Sequence, residues 1–227
     1  LQFLESKKVK FDLTSSLNGV ELSYLPIGWV KEMKDEAELK ISGSLGDEVV
    51  IDDIFLRSPD LTLVGSALRN KKENFLLNFE KLALNDVFDL KLSIKTDGAI
   101  DITGGQLNLQ EFLKLPLVKN PSEKSAPLSI YLDELKMYEK QGITRFTAAL
   151  DSTGKGEFSG SLNDLASFSG KLEKVRSGYN IRAISNNAGS FIRALGAAKA
   201  ADGGTAQLNL THLEKSPGMQ GQLKFKN

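Results

Sequence analysis

The chain has 227 residues, enough for one large domain that buries a core. Apolar residues make up 41% and charged residues 26%, so we expect a globular chain rather than a disordered one. Because 29 basic residues balance 29 acidic ones, nothing electrostatic favours nucleic acid, and we expect no nucleic-acid partner. The absence of cysteine excludes disulfides, a thiol nucleophile and a cysteine zinc site.

The dominant pattern along the first half is alternation of apolar and polar residues, which is typical of strands with one buried face. It occurs at residues 8–14, 37–45, 60–68, 74–82, 88–96 and 99–104. Short breaks rich in Gly, Asn and Asp separate these runs, so we expect consecutive strands to be antiparallel neighbours. A helical stretch follows at 109–117, where Leu109, Phe112 and Leu113 share one face until Pro116.

A long polar stretch, residues 119–127, divides the chain and is expected to link two sub-sheets, 1–118 and 128–227, of one segment that spans 1–227. The alternation resumes after it at 128–135, 143–150, 156–162, 166–172, 179–185, 205–210 and 219–225.

One alanine-rich stretch interrupts the strands of the second half. It predicts a helix from about Ala188 to Lys199, with Ser185 or Asn186 as its N-cap. Its apolar stripe has helical spacing and consists of Ala188, Phe191, Ile192, Leu195 and Ala198. The pair Gly203-Gly204 then returns the chain to a strand. A short helix with one apolar face is expected to lie on the apolar side of the sheet as a lid.

About a dozen strands, each with one apolar face, need a second layer to cover that face. Two short helices are too small to do so. The sheet must therefore fold onto itself as a sandwich or barrel, or curl into a trough whose apolar floor meets another molecule. The residue pattern predicts a mainly β fold and leaves these arrangements open. The residues expected on the apolar side, called the floor residues, are Val9, Phe11, Leu13, Leu39, Ile41, Leu61, Leu63, Phe75, Leu77, Phe79, Leu90, Leu92, Ile94, Ile130, Leu132, Phe146, Leu150, Phe158, Leu208, Leu210, Leu223 and Phe225.

Four stretches of the chain resemble segments of AsmA-like proteins, in the order expected. The resemblance is to the large YhdP-type members in particular, near their C-terminus. The stretch "ISNNAGSFIRALGAAKAADGGTAQLNL" is similar to a strand, an Asn-Ala-Gly helix and a Gly-Gly strand of that family, and "GMQGQLKF" is similar to its last strand. Upstream, "YLPIGWVK" resembles a Leu-Pro-x-x-Gly-Trp-x-Lys turn, and "LALNDVFDLKL" resembles an Asn-Asp strand pair.

This resemblance implies a long twisted and curled antiparallel sheet that forms an open apolar trough. It also implies a bridge-like lipid transfer protein of the diderm cell envelope. Such a protein is anchored in the inner membrane and crosses the periplasm, and its β-groove carries phospholipid acyl chains toward the outer membrane. The predicted floor residues would then line a lipid groove, and Phe191, Ile192 and Leu195 would form the lid. The implied partners are phospholipid acyl chains, an inner-membrane anchor and further trough segments of a longer chain.

No residue pattern indicates catalysis, a metal or a cofactor, and we expect none of these. His212 has no second histidine or cysteine to share a metal with. The Gly-x-Gly start of "GKGEFSG" opens no helix and predicts a turn. Asp52 and Asp53 are adjacent strand residues, which point to opposite faces. The alternative to a lipid-carrying segment is a structural or partner-binding periplasmic β-sandwich with a sealed core, and a hydrolase has no nucleophile motif to support it.

Overall fold

The alternating segments form strands in the computed structural model of the chain, which describes residues 8–24, 28–70, 74–116, 126–138, 141–162, 166–175, 178–194, 203–213 and 219–226. The strands of the first half are β1 (Val9–Ser15), β2 (Leu22–Tyr24), β3 (Trp29–Lys31), β4 (Glu38–Leu45), β5 (Val49–Arg57), β6 (Leu61–Arg69), β7 (Phe75–Leu84), β8 (Phe88–Lys95) and β9 (Ile100–Asn108). Helix α1 (Leu109–Phe112) follows. The second half contains β10 (Leu128–Tyr138), β11 (Gln141–Leu150), β12 (Gly156–Leu162), β13 (Ala166–Val175), β14 (Gly178–Ser185), α2 (Ala188–Ala194), β15 (Thr205–Leu213) and β16 (Met219–Lys226).

Within the described residues, fourteen of these strands form a single curled sheet, and β2 and β3 form a separate hairpin. Apart from the hairpin, the strands lie side by side in chain order from β1 to β16, as expected for short connections. The two outermost strands do not pair with each other, so the sheet is not closed into a barrel. The predicted mainly β fold with a curled, open sheet is confirmed.

One neighbouring pair, β9 and β10, is parallel, whereas the other pairs are antiparallel. A parallel connection must bring the chain back along the full strand length. The chain does so between Asn108 and Leu128, and α1 forms the first part of this return. The polar stretch 119–127 therefore joins two strands of one sheet, and most of it lies outside the described residues.

Strand β5 is absent from the alternating runs of the sequence, because two acidic residues in a row break its alternation. In the structure the register shifts between Ile51 and Ile54, so that Asp52 and Asp53 occupy a bulge. Ile51 and Ile54 therefore pair with residues of the same face, and the apolar stripe continues past the bulge. Strand β7 repeats this device, with a shift between Phe79 and Leu82. Bulges bend and twist the strands that carry them, which helps the sheet to curl.

Helix α1 covers the sheet with a different set of side chains from the predicted one. Leu109 and Phe112 pack against the core, and so does Leu115 in the turn that follows. Leu113, which was predicted to share their face, is 69% exposed and was assigned wrongly. The helix ends after Phe112 with Leu113 as its C-cap, and the Leu113 side chain is not among those that pack against the core.

Candidate functional site

The pairing registers place one row of apolar or glycine residues across all fourteen strands of the sheet. The row starts at Leu13, which pairs with Ile41, and ends at Leu223 on β16. Residues that pair directly across a ladder point to the same side of the sheet. We call this side the apolar face; its central row is Leu13, Ile41, Ile54, Gly65, Phe79, Leu92, Ile102, Ile130, Ala148, Phe158, Gly170, Ala183, Leu208 and Leu223.

Every residue named above as a predicted floor residue lies on this apolar face. Each belongs to the central row or lies an even number of residues from the row member of its own strand. Their exposure nevertheless differs widely. Leu132 is 1% exposed, whereas Val9 is 59% and Phe75 39% exposed. The face is therefore buried in some places and open to solvent in others.

The structure also places on this face residues that were not named as floor residues. Some follow a bulge or belong to a stripe that a glycine interrupts, so the period of two alone does not identify them, whereas Phe88 and Ile102 belong to alternating runs of the sequence. The signal that marks the bulges is a pair of polar residues between two apolar stripes, as at Glu80-Lys81 in β7. The additional residues are Ile54, Leu56, Leu82, Leu84, Phe88, Ile102, Leu107, Leu135, Ile143, Ala148, Leu162, Phe168, Leu172, Ile181 and Ala183.

The apolar face of the second half encloses a cavity of about 350 Å³. Side chains from six consecutive strands, β10 to β15, line this cavity. Its wall includes tilted ring contacts of Phe168 with Phe158, at 6.1 Å between centroids, and with Phe191, at 6.3 Å. The lining residues are Leu109, Ile130, Leu135, Met137, Ile143, Phe146, Ala148, Leu150, Phe158, Leu162, Phe168, Leu172, Ile181, Ala183, Phe191 and Leu208. The side chains of these residues are all apolar, so the cavity suits a hydrocarbon ligand better than a polar one.

Three elements cover the apolar face, and all three lie at the same end of the strands. We call it the covered end; Leu61, Leu84, Phe88, Leu135 and Leu162 lie there, and each is buried. The covering elements are the hairpin of β2 and β3, α1 and α2, and each contributes side chains to the core formed with the sheet.

Two side chains of β3, an indole and an ammonium group, hold the hairpin in place. Trp29 is buried, and its indole N–H donates to the Asp60 carboxylate at 3.0 Å. Lys31 is 1% exposed, and its ammonium donates to the Val20 carbonyl at 2.9 Å and to the Glu32 carbonyl at 3.1 Å. The indole contact ties the hairpin to the turn between β5 and β6. The ammonium contacts tie the backbone before β2 to the backbone after β3.

Helix α2 covers the second half of the face. Phe191 is buried in the core, and Ile192 is half-buried. Leu195, the third predicted lid residue, lies outside the described residues, as does the predicted extension of the helix to Lys199. The helix contacts β11, β12, β13 and β15, so it spans much of the cavity.

The predicted N-cap of α2 was wrong by one or two positions. Asn187 caps the helix, because its side-chain oxygen accepts a hydrogen bond from the Ser190 N–H at 2.9 Å. Ser185 and Asn186 instead connect the turn to β13. The Ser185 hydroxyl lies 3.0 Å from the Ser167 carbonyl oxygen, and the Asn186 side chain accepts from the Ser167 N–H at 3.1 Å.

The opposite strand ends have no such cover among the described residues. We call this the open end; Leu45, Phe75, Ile94, Leu128 and Leu150 lie there on the apolar face, half-buried or exposed. Short polar turns connect the strands at this end, as at Asp151–Lys155, where the Asp151 carboxylate accepts from the backbone N–H groups of Thr153 and Lys155. These bonds, with one from the Thr153 hydroxyl as the largest cause, lower the pKa of Asp151.

The side of the sheet opposite the apolar face, called the polar face, carries cross-strand ion pairs. In the first half it also carries the apolar side chains Phe55, Val64, Leu68 and Leu76. Glu157 and Lys171 are register partners with 2.7 Å between their charged atoms. Their hydrogen bond lowers the pKa of the Glu157 carboxyl and raises the pKa of the Lys171 ammonium. Because both groups are largely exposed, the pair is typical of a solvated sheet face and adds little stability.

The described residues contain no group of three or more His, Cys, Asp or Glu side chains arranged to hold a metal. His212 lies opposite Tyr179 and Met219 near the open end. In the part of the chain that the structure covers, neither helix is long and apolar enough to cross a membrane.

Comparisons of the chain with known protein families, with curated proteins and with solved structures found no match.

Proposed function

We propose that the chain is a segment of a bridge-like lipid transfer protein that carries phospholipid between the inner and outer membranes of a diderm bacterium. Acyl chains would lie on the apolar face, and headgroups would remain in solvent. The segment would work in the periplasm without enzymatic activity or a cofactor. An inner-membrane anchor and further trough segments of a longer chain would continue the path.

The observation that carries this proposal is the unbroken apolar row across fourteen strands, on a face that the described residues cover only at one strand end. A contiguous exposed apolar surface of this kind marks a binding surface for an apolar partner. Hydrocarbon chains suit it, because the hydrophobic effect is non-directional and the chains can lie anywhere along a continuous apolar floor. The resemblance to AsmA-like proteins, stated above on its motifs, supplies the phospholipid and the envelope location.

A second candidate, a structural or partner-binding domain with a sealed core, is favoured by the covered end alone. There Leu162 is 1% exposed and Leu61 5%, as in a closed β-sandwich. The two candidates differ at the open end, where a sealed core would bury Leu150 and a groove would leave it accessible to lipid.

The test uses two neighbouring residues that point to opposite faces. Leu150 is half-buried on the apolar face, and Ala149 is exposed on the polar face. The whole chain is mixed with vesicles of phosphatidylethanolamine and phosphatidylglycerol, separated from them, and examined by native mass spectrometry. Leu150→Asp and the matched control Ala149→Asp are compared with the unaltered chain after circular dichroism has shown that each variant is folded.

We expect phospholipid adducts on the unaltered chain and on Ala149→Asp, and a clear loss of adducts on Leu150→Asp. A charge on the apolar face must be desolvated when an acyl chain covers it, which opposes binding. An unaltered chain that is folded and carries no lipid would contradict the proposal and favour the sealed domain.

A further inference from the structure

The covering elements of the apolar face are placed asymmetrically by the topology of the sheet. In a meander of antiparallel strands, every second connection lies at the same strand end. The connection from β1 to β4 contains the hairpin, the one after β9 starts with α1, and the one from β14 to β15 contains α2. All three leave the sheet at the covered end, whereas the described turns at the open end are short.

The cavity on the apolar face runs between these two ends. Phe191 and Leu162 line it at the covered end, and Leu150 and Leu172 line it toward the open end. On β11 the step from Ile143 to Leu150 covers seven residues, which at about 3.3 Å per residue spans at most about 23 Å. One leaflet of a bilayer has about 15 Å of hydrocarbon, half of the usual 30 Å core, so a single acyl chain fits along the strand.

The chemistry of the two ends also differs. The side chains that line the cavity are apolar, and at the covered end Phe168 and Phe191 close it with packed rings. A phosphate-bearing headgroup placed there would lose its hydration without gaining hydrogen bonds, which disfavours that placement. The open end presents turns with charged and amide groups, such as Lys95, Asp97 and Lys155, beside the accessible apolar residues.

From this asymmetry we propose that a phospholipid in this segment lies along the strands with its acyl-chain ends toward the covered end and its headgroup at the open-end turns. The inference rests on the proposed function, and it adds an orientation to it. The groove would then release headgroups along one rim only, and the hairpin, α1 and α2 would form the opposite, closed wall.

The orientation is tested with single tryptophan reporters, because Trp29 is the chain's one tryptophan. In a Trp29→Phe background, a tryptophan replaces Leu150 or Leu172 toward the open end, or Phe168 or Phe191 at the covered end. Two positions at each end keep the comparison possible where one variant fails to fold. Tyr131→Trp is the control, since Tyr131 pairs with Thr147 on the polar face and is exposed.

The probes are phosphatidylcholines with bromine atoms either near the acyl-chain ends or near the carboxyl groups, because bromine quenches tryptophan fluorescence at close range. We expect chain-end bromine to quench the covered-end reporters more strongly than carboxyl-side bromine, and the reverse order at the open-end reporters. Neither lipid should quench the Tyr131→Trp control beyond its level with unbrominated lipid.

Equal quenching by both lipids at both ends, or the opposite order, would overturn the orientation while leaving lipid binding intact. Native mass spectrometry on the same samples separates this outcome from failure of the proposed function. Folded variants that show neither adducts nor quenching at any position would refute lipid binding, and the orientation with it.

Discussion

Phe158 and Gly170 face each other across the β12–β13 ladder, and the phenylalanine ring occupies the space that a side chain on Gly170 would need. The next pair repeats the arrangement in reverse, with Gly160 opposite Phe168. A Cβ on Gly160 would lie 2.9 Å from Cε1 of the Phe168 ring. Glycines in this part of the sheet thus let two large rings lie across the backbone and form one wall of the cavity.

This relationship predicts that Gly170→Ala destabilises the chain. The added methyl would collide with the Phe158 ring and with the carbonyl oxygen of Arg182, and backbone cannot yield as a flexible side chain can. Overpacking of this kind costs about 1–3 kcal/mol, more than the alanine gains by restricting the unfolded chain.

The matched control is Gly104→Ala in β9, where a Cβ would make an ordinary contact 3.5 Å from Asp133 Oδ2. Urea unfolding followed by circular dichroism should give a lower midpoint for Gly170→Ala and an unchanged or slightly raised midpoint for Gly104→Ala. Equal midpoints for the two variants would contradict the claim that the Phe158 ring needs the space that a side chain at position 170 would fill.

The difference between the two ends of the apolar face predicts unequal costs for the same substitution on neighbouring strands. Leu162 is 1% exposed at the covered end, so Leu162→Ala should cost about 2–5 kcal/mol of unfolding free energy. Leu150 is half-buried at the open end, so Leu150→Ala should cost about 1 kcal/mol or less. Chemical unfolding of both variants without lipid is the measurement. Similar large losses for both would point to a core sealed along its whole length.

The Asp151 turn at the open end predicts a pH-dependent contribution to stability. The pKa of Asp151 is lowered by hydrogen bonds from the Thr153 hydroxyl and from the backbone of Lys155 and Thr153, whereas its ordinary value is 3.8. A carboxyl whose folded-state pKa is depressed stabilises the fold above its unfolded pKa, and this contribution disappears as pH falls through the folded value.

Asp151→Asn should therefore be less stable than the unaltered chain at neutral pH, and the difference should shrink below about pH 4. Thr153→Val removes only the hydroxyl donor, so its stability at neutral pH should lie between that of Asp151→Asn and that of the unaltered chain. Thermal unfolding across this pH range measures the effect. A stability difference that stays constant with pH would show that the carboxylate charge is not responsible.

The strands and the shared face of the floor residues followed from the sequence because an apolar period of two is local information. Val9, Phe11 and Leu13 indicate β1 without knowledge of its neighbours, and the ladder to β4 then places Ile41 on the same side. The mainly β class also followed from this pattern. The open, curled form of the sheet was implied by the resemblance to AsmA-like proteins, because the pattern alone also allowed a sandwich or barrel.

Other features depend on contacts that a local pattern does not contain. The bulge at Asp52-Asp53 hides β5, because the pattern changes phase where the backbone gains a residue. The parallel pairing of β9 with β10 depends on where the chain returns after α1. Burial at one strand end depends on Trp29 reaching Asp60, a contact between residues far apart in sequence.

The central claim is that acyl chains lie on the apolar face, and site-specific photo-crosslinking tests it most directly. A benzophenone amino acid is placed at Phe158, on the apolar face, or at Tyr131, on the polar face of the same region. Each variant is irradiated with phospholipid vesicles, and its mass is measured intact. If acyl chains lie on the apolar face, covalent phospholipid adducts form at position 158 and none above background at position 131. Adducts of equal yield at both positions, or none at position 158 in the folded chain, would contradict this placement.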